Sequence, residues 1–464
     1  MPKDVPHFTA DFGAEEFAAR RARVAEAMGR AGVALLVGAR TSPGFDPFRQ
    51  HNDFYYLCGV EVPHAYLLLD GASATSTLYL PPRDVKHEES DGPELSADDK
   101  DFARLRTGVE EVKPLAALAA DLQGKPRVFL PRSEAEGARA CQDTLRRMRQ
   151  QADADPMDGQ PSPEALLLLR VAQLSPGAEL TDLSPILQRL RLVKSPAELA
   201  VMRRAGRLSA AAVVEAMKST RPGVYEYQLG AVAEYVFVAN GSRAGGGYRP
   251  IIAAGPNIWR AHYWRNDARL KDGDWVLMDY APDLNNYTSD IGRMWPVNGR
   301  YSPAQRELYG FVLEYHQRLL ALIRPGPTPE DILAEAAEQM RAVLDRWDFS
   351  KPIYREAATR LLRSKRPLSH GVGMAVHEVA GYFGRPLEVA TVFAVDPELF
   401  VPEEKLYVRC EDTVAVMPDG CENLTAAAPL AMDAVEQLMA GQGLLQRHPV
   451  LLDSGDEAPR GIRT

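Results

Sequence analysis

A tripeptide that occurs twice is the feature that most restricts how this chain can fold. Arg-Pro-Gly stands at 221–223 and again at 324–326, which is 103 residues later. Each copy follows a segment that opens with a helix-capping pattern and a first-turn proline, Ser195-Pro196 in one case and Ser302-Pro303 in the other. Helix ends often carry Pro and Gly, so coincidence is the alternative. A true repeat predicts two similar halves of helix, turn, helix and strands, with any site between the halves drawing ligands from both.

Two aspartates stand at the inner ends of two short apolar segments in the first half. The sequence VLMDYAPDLNNYTSDIGRMWPVNG, residues 276–299, is typical of a β-hairpin, and Asn285-Asn286 suits its turn. A turn centred on Leu284-Asn285 would set Asp279 directly opposite Asp290. Like charges on facing strands lie about 5 Å apart and destabilise the pair, so we expect a buried cation between the two carboxylates.

The second half supplies candidate partners for these acids. His370 and His377 lie among glycines in PLSHGVGMAVHEVAGYFGRP, and small residues allow a backbone to approach a site closely. Asp396 ends an apolar strand before a proline, and Glu411 lies in an alternating strand predicted over 406–417. A carboxylate buried in a strand must be paired or bound to metal. Carboxylates with an imidazole form a ligand set that suits Mn, Co, Zn or Fe in a two-metal site.

Composition excludes several classes of function. Of the 464 residues, 45% are hydrophobic and 25% charged, which is ordinary for a folded protein of two or three domains. The net charge is −9 and no Lys/Arg cluster accompanies aromatic residues, so we expect no nucleic-acid partner. No run approaches about 18 apolar residues and the amino terminus has no cleavage signature, so we expect no membrane partner and a cytoplasmic protein. Four scattered cysteines without a CxxC pair are predicted to be free thiols.

Helix and strand signals alternate along the chain before Arg189, which predicts an α/β domain. Between the strands, the acidic segment Arg83–Asp101 is predicted to be an exposed loop. The predicted strands are Val33–Val37, Asp53–Leu57, Tyr66–Leu69, Thr77–Leu80 and Arg127–Leu130.

These patterns together resemble a known family. The two hairpin aspartates are eleven residues apart, AHY precedes them, and SHGVG, VHE and RCED follow them. The set resembles the pita-bread metallopeptidases, the family of methionine aminopeptidase, prolidase and aminopeptidase P. HNDFYYLCGVEVPHAYLLL, residues 51–69, resembles the amino-terminal domain of aminopeptidase P and its relatives. The resemblance implies an α/β creatinase-like domain over 1–185, an α+β pita-bread catalytic domain with an internal two-fold repeat over 186–445, and a tail over 446–464.

The resemblance also implies a site with two divalent metal ions per chain, Mn before Zn, Co or Fe. The five implied ligands are Asp279, Asp290, His370, Asp396 and Glu411. A hydroxide bridging the metals would attack the peptide carbonyl, while His262 and His377 bind substrate and the developing oxyanion. Arg409 would orient Glu411. Arg385 and Phe400 are predicted to contact substrate.

The sequence departs from the family at one of these ligands. The family's V-E-P-G is Val-Asp-Pro-Glu here, so Asp396 replaces the usual Glu and Glu398 replaces Gly. The Asp396 carboxylate reaches about 1.5 Å less, which is one C–C bond. Because a carboxylate remains, we interpret the change as altered tuning or an altered substrate, not as loss of catalysis.

The function predicted from the resemblance is removal of the amino-terminal residue from peptides with proline at the second position. An Xaa-Pro dipeptidase (prolidase) is the nearest alternative, and the length and motifs of the amino-terminal domain favour the first reading. A non-peptidase enzyme of the lyase or amidinohydrolase type stays open because of Asp396. A binding module without metals is disfavoured by the retained ligands. The resemblance implies a homodimer or homotetramer.

Overall fold

The structure, a computed structural model, describes residues 11–42, 44–378 and 381–448. These residues form two compact units. The first contains the described chain up to Leu192 together with His377 and Glu378, and the second contains the rest from Val193 onward. The domain limits at 185 and 445 stay predictions. The start of the amino terminus and the predicted tail from residue 449 lie outside the described residues.

The first unit is a mixed α/β domain, as the sequence predicts. Its six-stranded sheet has the order β4-β3-β2-β1-β5-β6, in which β1, β5 and β6 are parallel and β2 is antiparallel to both of its neighbours. The strands are β1 Val33–Val37, β2 Tyr66–Asp70, β3 Thr75–Leu80, β4 Glu111–Pro114, β5 Arg127–Leu130 and β6 Glu179–Asp182. The helices are α1 Ala14–Ala27, α2 Asn52–Cys58, α3 Val85–Asp91, α4 Lys100–Thr107, α5 Leu118–Leu122, α6 Gln142–Ala154, α7 Pro163–Leu174 and α8 Ser184–Leu192, with a 3-10 turn at Leu115–Ala117.

Two predictions for this unit are wrong. The predicted strand Asp53–Leu57 is the helix α2, which is buried along most of its length from Phe54 to Cys58. A short apolar run of this kind does not distinguish a buried strand from a buried helix, because both faces are covered. The predicted loop Arg83–Asp101 contains α3, which Asp84 caps by accepting a hydrogen bond from the backbone of His87.

The second unit contains a repeated arrangement of two helices followed by three strands, together with further helices and strands. The helices are α9 Pro196–Ser219, α10 Glu226–Ala239, α11 Pro303–Leu322, α12 Pro329–Arg346, α13 Pro352–Leu361, α14 Met432–Met439 and α15 Leu444–Arg447. The strands are β7 Ile251–Ala254, β8 Trp275–Asp279, β9 Ile291–Pro296, β10 Leu368–Gly371, β11 Val392–Val395, β12 Glu398–Val401, β13 Leu406–Arg409, β14 Glu411–Met417 and β15 Gly420–Asn423. Short 3-10 turns lie at Gly255–Trp259 and Pro402–Glu404.

The sheet of this unit shows the predicted repeat. Its order is β10-β11-β14-β9-β8-β7, with β15 beside β14, so the last strands of the two halves, β9 and β14, pair at the centre. Both predicted capping boxes are present, since the Ser195 and Ser302 hydroxyls accept hydrogen bonds from the third residue of α9 and α11. Each Arg-Pro-Gly turn has its glycine in the left-handed region, with φ of 95° at Gly223 and 107° at Gly326. The prediction of two similar halves is confirmed.

The late strands are more divided than the sequence suggests. The segment predicted as one strand over 406–417 is two strands, β13 and β14, which part at Cys410 and pair with different partners. The apolar strand before Asp396 likewise ends at Val395, and β12 begins after Pro397 because a proline cannot donate a ladder hydrogen bond. Among the described residues, no helix combines the length and the apolar character that crossing a bilayer requires.

Candidate metal centre

The hairpin of the first half positions two buried carboxylates on one face of the sheet. Asn285 and Asn286 form its two-residue turn with φ of 53° and 67°, a conformation that asparagine tolerates well. The turn therefore centres one residue later than predicted, and Asp279 pairs with Gly292, not with Asp290. The predicted register is wrong by two residues. A shift of two keeps every side chain on its face, so Asp279 and Asp290 are still diagonal neighbours.

A glycine separates two of the acids across the sheet. Gly292 in β9 pairs with Asp279 of β8 on one side and with Glu411 of β14 on the other. A Cβ at Gly292 would lie 2.9 Å from the Cβ of Glu411 and 3.0 Å from its Oε2. Because Gly292 has no side chain, the carboxylate of Glu411 can occupy the space beside it.

Two residues that the sequence analysis did not select hold the hairpin acids in place. The Tyr248 hydroxyl lies 2.7 Å from Asp279 Oδ1 and 3.1 Å from Asp290 Oδ1. The Thr413 hydroxyl accepts the Asp290 N–H at 2.7 Å and donates to the Asp290 carbonyl at 2.8 Å. The glycine run 245–247 precedes Tyr248 in the sequence. A Cβ at Gly246 would collide with the ring of Tyr280, so the glycine allows this segment to pack closely against the hairpin.

The second half brings the remaining predicted ligands to the same face. Glu411 opens β14, Asp396 follows β11, and His370 lies in β10. Carboxylate oxygens of Asp279, Asp290 and Glu411 all lie within 4.8 Å of one another. The Nε2 atom of His370 lies 3.5 Å from Asp290 Oδ2. The second unit brings Asp279, Asp290, Glu411 and His370 close together, and their role as metal ligands stays a prediction.

A single guanidinium lies among the acids. Arg409 Nη1 donates to Asp396 Oδ2 at 3.1 Å, and Nη2 contacts an Asp279 oxygen and lies 3.2 Å from Glu411 Oε2. The sequence predicted only that Arg409 would orient Glu411. The structure places it between three carboxylates, at the point where β13 ends and β14 begins.

This face carries four buried carboxylates, three of which contact the guanidinium of Arg409. The four carboxylates are 6%, 2%, 5% and 1% exposed for Asp279, Asp290, Asp396 and Glu411. Burial and the neighbouring carboxylates raise the pKa of Asp396 and of Glu411 well above the ordinary range, although Arg409 opposes the shift. Asp396 Oδ1 and Glu411 Oε2 accept no hydrogen bond from the described residues. Buried carboxylate oxygens that accept no hydrogen bond, beside one imidazole, fit divalent cations.

A second buried network supports Glu411 from the backbone. The fully buried Arg293 donates to the carbonyls of Gly292 and Glu411, at 3.0 and 2.5 Å, and to Asp412 Oδ1 at 2.6 Å. His316 Nε2 lies 3.2 Å from Asp412 Oδ2. Burial would raise the pKa of Asp412, but Arg293 and His316 outweigh it and hold that pKa below the ordinary value. Side chains alternate along β14, so Asp412 points to the opposite face of the sheet from Glu411. The face that carries Glu411 and the other proposed ligands is called the metal face. Asp412 was not selected from the sequence, because only residues of that face were considered.

Glu398, which accompanies Asp396 in the departure from the family pattern, lies close to the proposed site. Glu398 pairs with Arg409 across β12 and β13, so the two side chains share a face. Its Oε1 accepts a hydrogen bond from the Tyr407 hydroxyl at 2.5 Å, and its Oε2 lies 3.4 Å from Arg366 Nη1. The chain therefore has an additional acid close to the shortened one.

The other residues predicted to contact substrate differ in their exposure and in their contacts. Phe400 stacks on Tyr407 with a centroid distance of 4.7 Å and meets Trp259 edge-on at 6.0 Å. His262 is exposed in the turn after Gly255–Trp259, and Arg385 is exposed in the loop between β10 and β11. Their roles stay predictions.

His377 is grouped with the first unit. Its Nδ1 lies 2.7 Å from Asp143 Oδ2, beside Cys141, whose Sγ lies 2.8 Å from Asp143 Oδ1. Burial lowers the pKa of His377, but these two partners outweigh it and raise the pKa to about 11. No sequence pattern indicates this contact, because the residues are far apart along the chain.

Comparison with known proteins finds similarity along both units. Residues 200–418 match metallopeptidase family M24, and residues 17–127 match the aminopeptidase P amino-terminal domain. The chain is 32% identical to the Xaa-Pro aminopeptidase of Escherichia coli (strain K12), over 92% of this chain and 97% of that protein. It is 32% identical to Xaa-Pro aminopeptidase 3 of Homo sapiens, over 91% of this chain and 85% of that protein. Zinc-substituted E. coli aminopeptidase P in complex with product aligns with a TM-score of 0.76 at 29% identity, over 92% of this chain and 98% of that one.

Proposed function

The chain belongs to metallopeptidase family M24, with an amino-terminal domain of the aminopeptidase P type, and from this premise we propose that it is an exopeptidase that removes the amino-terminal residue from peptides with proline second. The observation that carries the proposal is the convergence of four buried carboxylates and an imidazole, with three of the carboxylates in contact with Arg409. The names of the relatives support the choice of substrate class.

The proposed chemistry assigns a task to each group. Two divalent cations, when bound, polarise the peptide carbonyl and make a water-derived nucleophile available at neutral pH. Arg409 keeps three of the carboxylates oriented, since it contacts all of them. His262 and His377 are proposed to hold the substrate and to donate hydrogen bonds to the developing oxyanion. The residues that would hold the cations are Asp279, Asp290, His370, Asp396 and Glu411.

The finer attributes rest on the same premise. We propose Mn as the first metal to test, because the donor set is rich in carboxylate oxygen. The proposed setting is the cytoplasm, and the proposed assembly is a homodimer or homotetramer. Arg385 and Phe400 are proposed to contact the peptide beyond the scissile bond.

A peptide assay tests the function directly. The protein is stripped of metal, reloaded with Mn²⁺, and given an Xaa-Pro dipeptide and an Xaa-Pro-Xaa tripeptide in parallel. Release of the first residue from the tripeptide is the expected result. Cleavage of the dipeptide alone would make the protein a prolidase, and cleavage of neither by protein that holds two metals would contradict both peptidase readings.

A matched pair of variants tests the site. Asp290→Asn removes one charge from the metal face, and we expect loss of bound metal and of tripeptide cleavage while the fold is retained. Asp345→Asn makes the same change on the exposed surface of α12 and should leave both unchanged. Metal content is measured by elemental analysis and folding by circular dichroism. Full activity in Asp290→Asn would show that the ligand assignment is wrong.

One observation keeps a second function in view. Asp396 and Glu398 both differ from the family pattern, and Glu398 is held by Tyr407 on the face it shares with Arg409. A non-peptidase reaction of the lyase or amidinohydrolase type is therefore the second candidate. It becomes the first if the metal-loaded protein cuts neither peptide.

A further inference from the structure

The first unit has a cavity of about 300 Å³ that the metal chemistry does not use. It lies beyond Val37, where β1 ends, and beyond Pro131, which follows β5. These two strands are parallel neighbours. In the sheet order, β2 lies next to β1 towards one edge of the sheet, and β6 lies next to β5 towards the other edge. The connections that leave β1 and β5 therefore run in opposite directions, and the cavity lies at this topological switch point. In open parallel α/β sheets, ligands bind at such a position, outside the carboxyl ends of the strands, and β1 and β5 form a parallel pair of this type.

One wall of the cavity presents acceptors that have no donor. Glu164, in the first turn of α7, accepts the Ala135 N–H through Oε1 at 3.1 Å, whereas its Oε2 is buried and accepts no hydrogen bond from the described residues. His51 Nδ1 lies 3.2 Å from the Val37 carbonyl and must donate to it. Burial lowers the pKa of His51, so the neutral ring keeps Nε2 as a further acceptor.

The charge near this wall is negative. Asp53 and Glu136 line the cavity, and both pair with Arg191 at 2.9 Å. Arg191 also pairs with Glu378 at 2.8 Å. One guanidinium is therefore paired with three carboxylates, and Glu164 adds a fourth carboxylate to this region. A ligand that brings a positive charge and N–H donors would complement this wall.

The rest of the cavity defines the other parts of the ligand. Leu36, Phe54 and Leu167 give it apolar sides, and the exposed Arg40 and Arg170 stand in its lining as carboxylate-binding groups. Ligand pockets span about 300–1,000 Å³, so this cavity suits a small molecule at the lower end of that range. The clusters of three potential metal ligands among the described residues lie elsewhere, which favours an organic cation over a metal ion.

We propose that this cavity binds an apolar α-amino acid, with its ammonium group on Glu164, its side chain between Leu36 and Leu167, and its carboxylate towards Arg40 and Arg170. None of the proposed metal ligands lines this cavity, and the proposal does not rest on the proposed peptidase function. It assigns a ligand-binding role to the amino-terminal unit.

Titration calorimetry of the full-length, metal-loaded protein tests the proposal, with L-leucine as the probe and 4-methylpentanoate as the same molecule without its amine. We expect leucine to bind at one site and 4-methylpentanoate to bind at least about tenfold more weakly, because a charged hydrogen bond on Glu164 is lost. Glu164→Gln should weaken leucine binding by about tenfold or more for the same reason. Glu89→Gln, the same change on the exposed surface of α3, should leave it unchanged.

A second variant fills the cavity without changing its charge. Ala135 is exposed and lines the cavity, so Ala135→Trp should block leucine while the protein stays folded by circular dichroism. The proposal is overturned if leucine does not bind, if Glu164→Gln and Ala135→Trp bind it like the unaltered protein, or if 4-methylpentanoate binds equally well. Leucine binding that persists in Glu164→Gln but disappears in Asp290→Asn would place the ligand at the metal centre and would also overturn it.

Discussion

At the scale of single residues, the sequence pattern singles out the proposed metal ligands but not the residues that hold them in place. Asp279 and Asp290 stand out because acids are rare in apolar strands, and Glu411 stands out for the same reason. Tyr248 and Thr413 carry no such signal, since a tyrosine or threonine in or beside a strand is ordinary. Their contacts with the acids exist only once the chain is folded. A residue that acts through another residue therefore escapes a search by residue type and spacing.

Tyr248 offers a prediction at this scale. Its hydroxyl is within hydrogen-bond distance of both hairpin acids, so Tyr248→Phe removes a donor that orients two ligands at once. Loss of such a supporting group costs metal affinity by about 10- to 100-fold. We expect this weakening in a metal titration followed by activity and by calorimetry.

The control for this prediction is Tyr235→Phe, which makes the same change on the exposed face of α10. It should leave metal affinity and activity unchanged. Equal metal affinity in Tyr248→Phe and the unaltered protein would mean that the hydroxyl only fills space.

At the scale of elements, patterning predicted most strands of the first unit but not the pairing of the hairpin. Val33–Val37 and Arg127–Leu130 occur as predicted, because their buried apolar runs end at clear breaks. The helix at Asn52–Cys58 was missed, because burial on all sides removes the periodicity that separates helix from strand. The hairpin register was missed because it depends on which two residues take positive φ, and Leu284, Asn285 and Asn286 gave two possible centres.

The turn itself offers the prediction at this scale. Asn285 has a φ of 53°, where a β-branched residue is strained. Asn285→Val should lower the free energy of unfolding by about 1–2 kcal/mol, the usual cost of a left-handed residue. Asn285→Gly adopts the same φ freely and should remain close to the unaltered protein. Urea unfolding monitored by tryptophan fluorescence measures both, and equal stability of the two variants would contradict the assignment of the turn.

At the scale of the whole molecule, the repeat explains where the acids meet. The central strands β9 and β14 come one from each half. The four predicted acidic ligands lie on these strands or on the strands and connections beside them, and His370 lies on β10, the strand beyond β11. The first half alone would bury Asp279 without the guanidinium of Arg409, which the second half supplies. The sequence predicted this arrangement because the duplication and the acids were both visible. It did not predict the contacts of His377 or the cavity of the first unit, because both depend on tertiary packing between distant segments.

The charge excess at the metal face predicts how stability depends on pH. In the metal-free protein, burial and neighbouring carboxylates raise the pKa of Asp396 and Glu411, whereas the unfolded chain titrates at about 3.9 for Asp and 4.3 for Glu. The folded state therefore binds more protons than the unfolded state above about pH 4, so these two groups make the metal-free protein less stable as pH rises through their folded pKa values. Metal binding requires the deprotonated ligands and removes this penalty.

The stabilisation by metal should therefore increase with pH. We expect the difference in thermal midpoint between Mn-loaded and stripped protein to be larger at about pH 7.5 than at about pH 5.5. Groups with lowered pKa values that are not among the proposed metal ligands, such as Asp331 in the first turn of α12, affect both forms alike and cancel in the difference. Asp290→Asn should show a small difference at both pH values because it binds little metal. A difference that stays constant or shrinks as pH rises would mean that the buried carboxylates are not the groups that bind the metal.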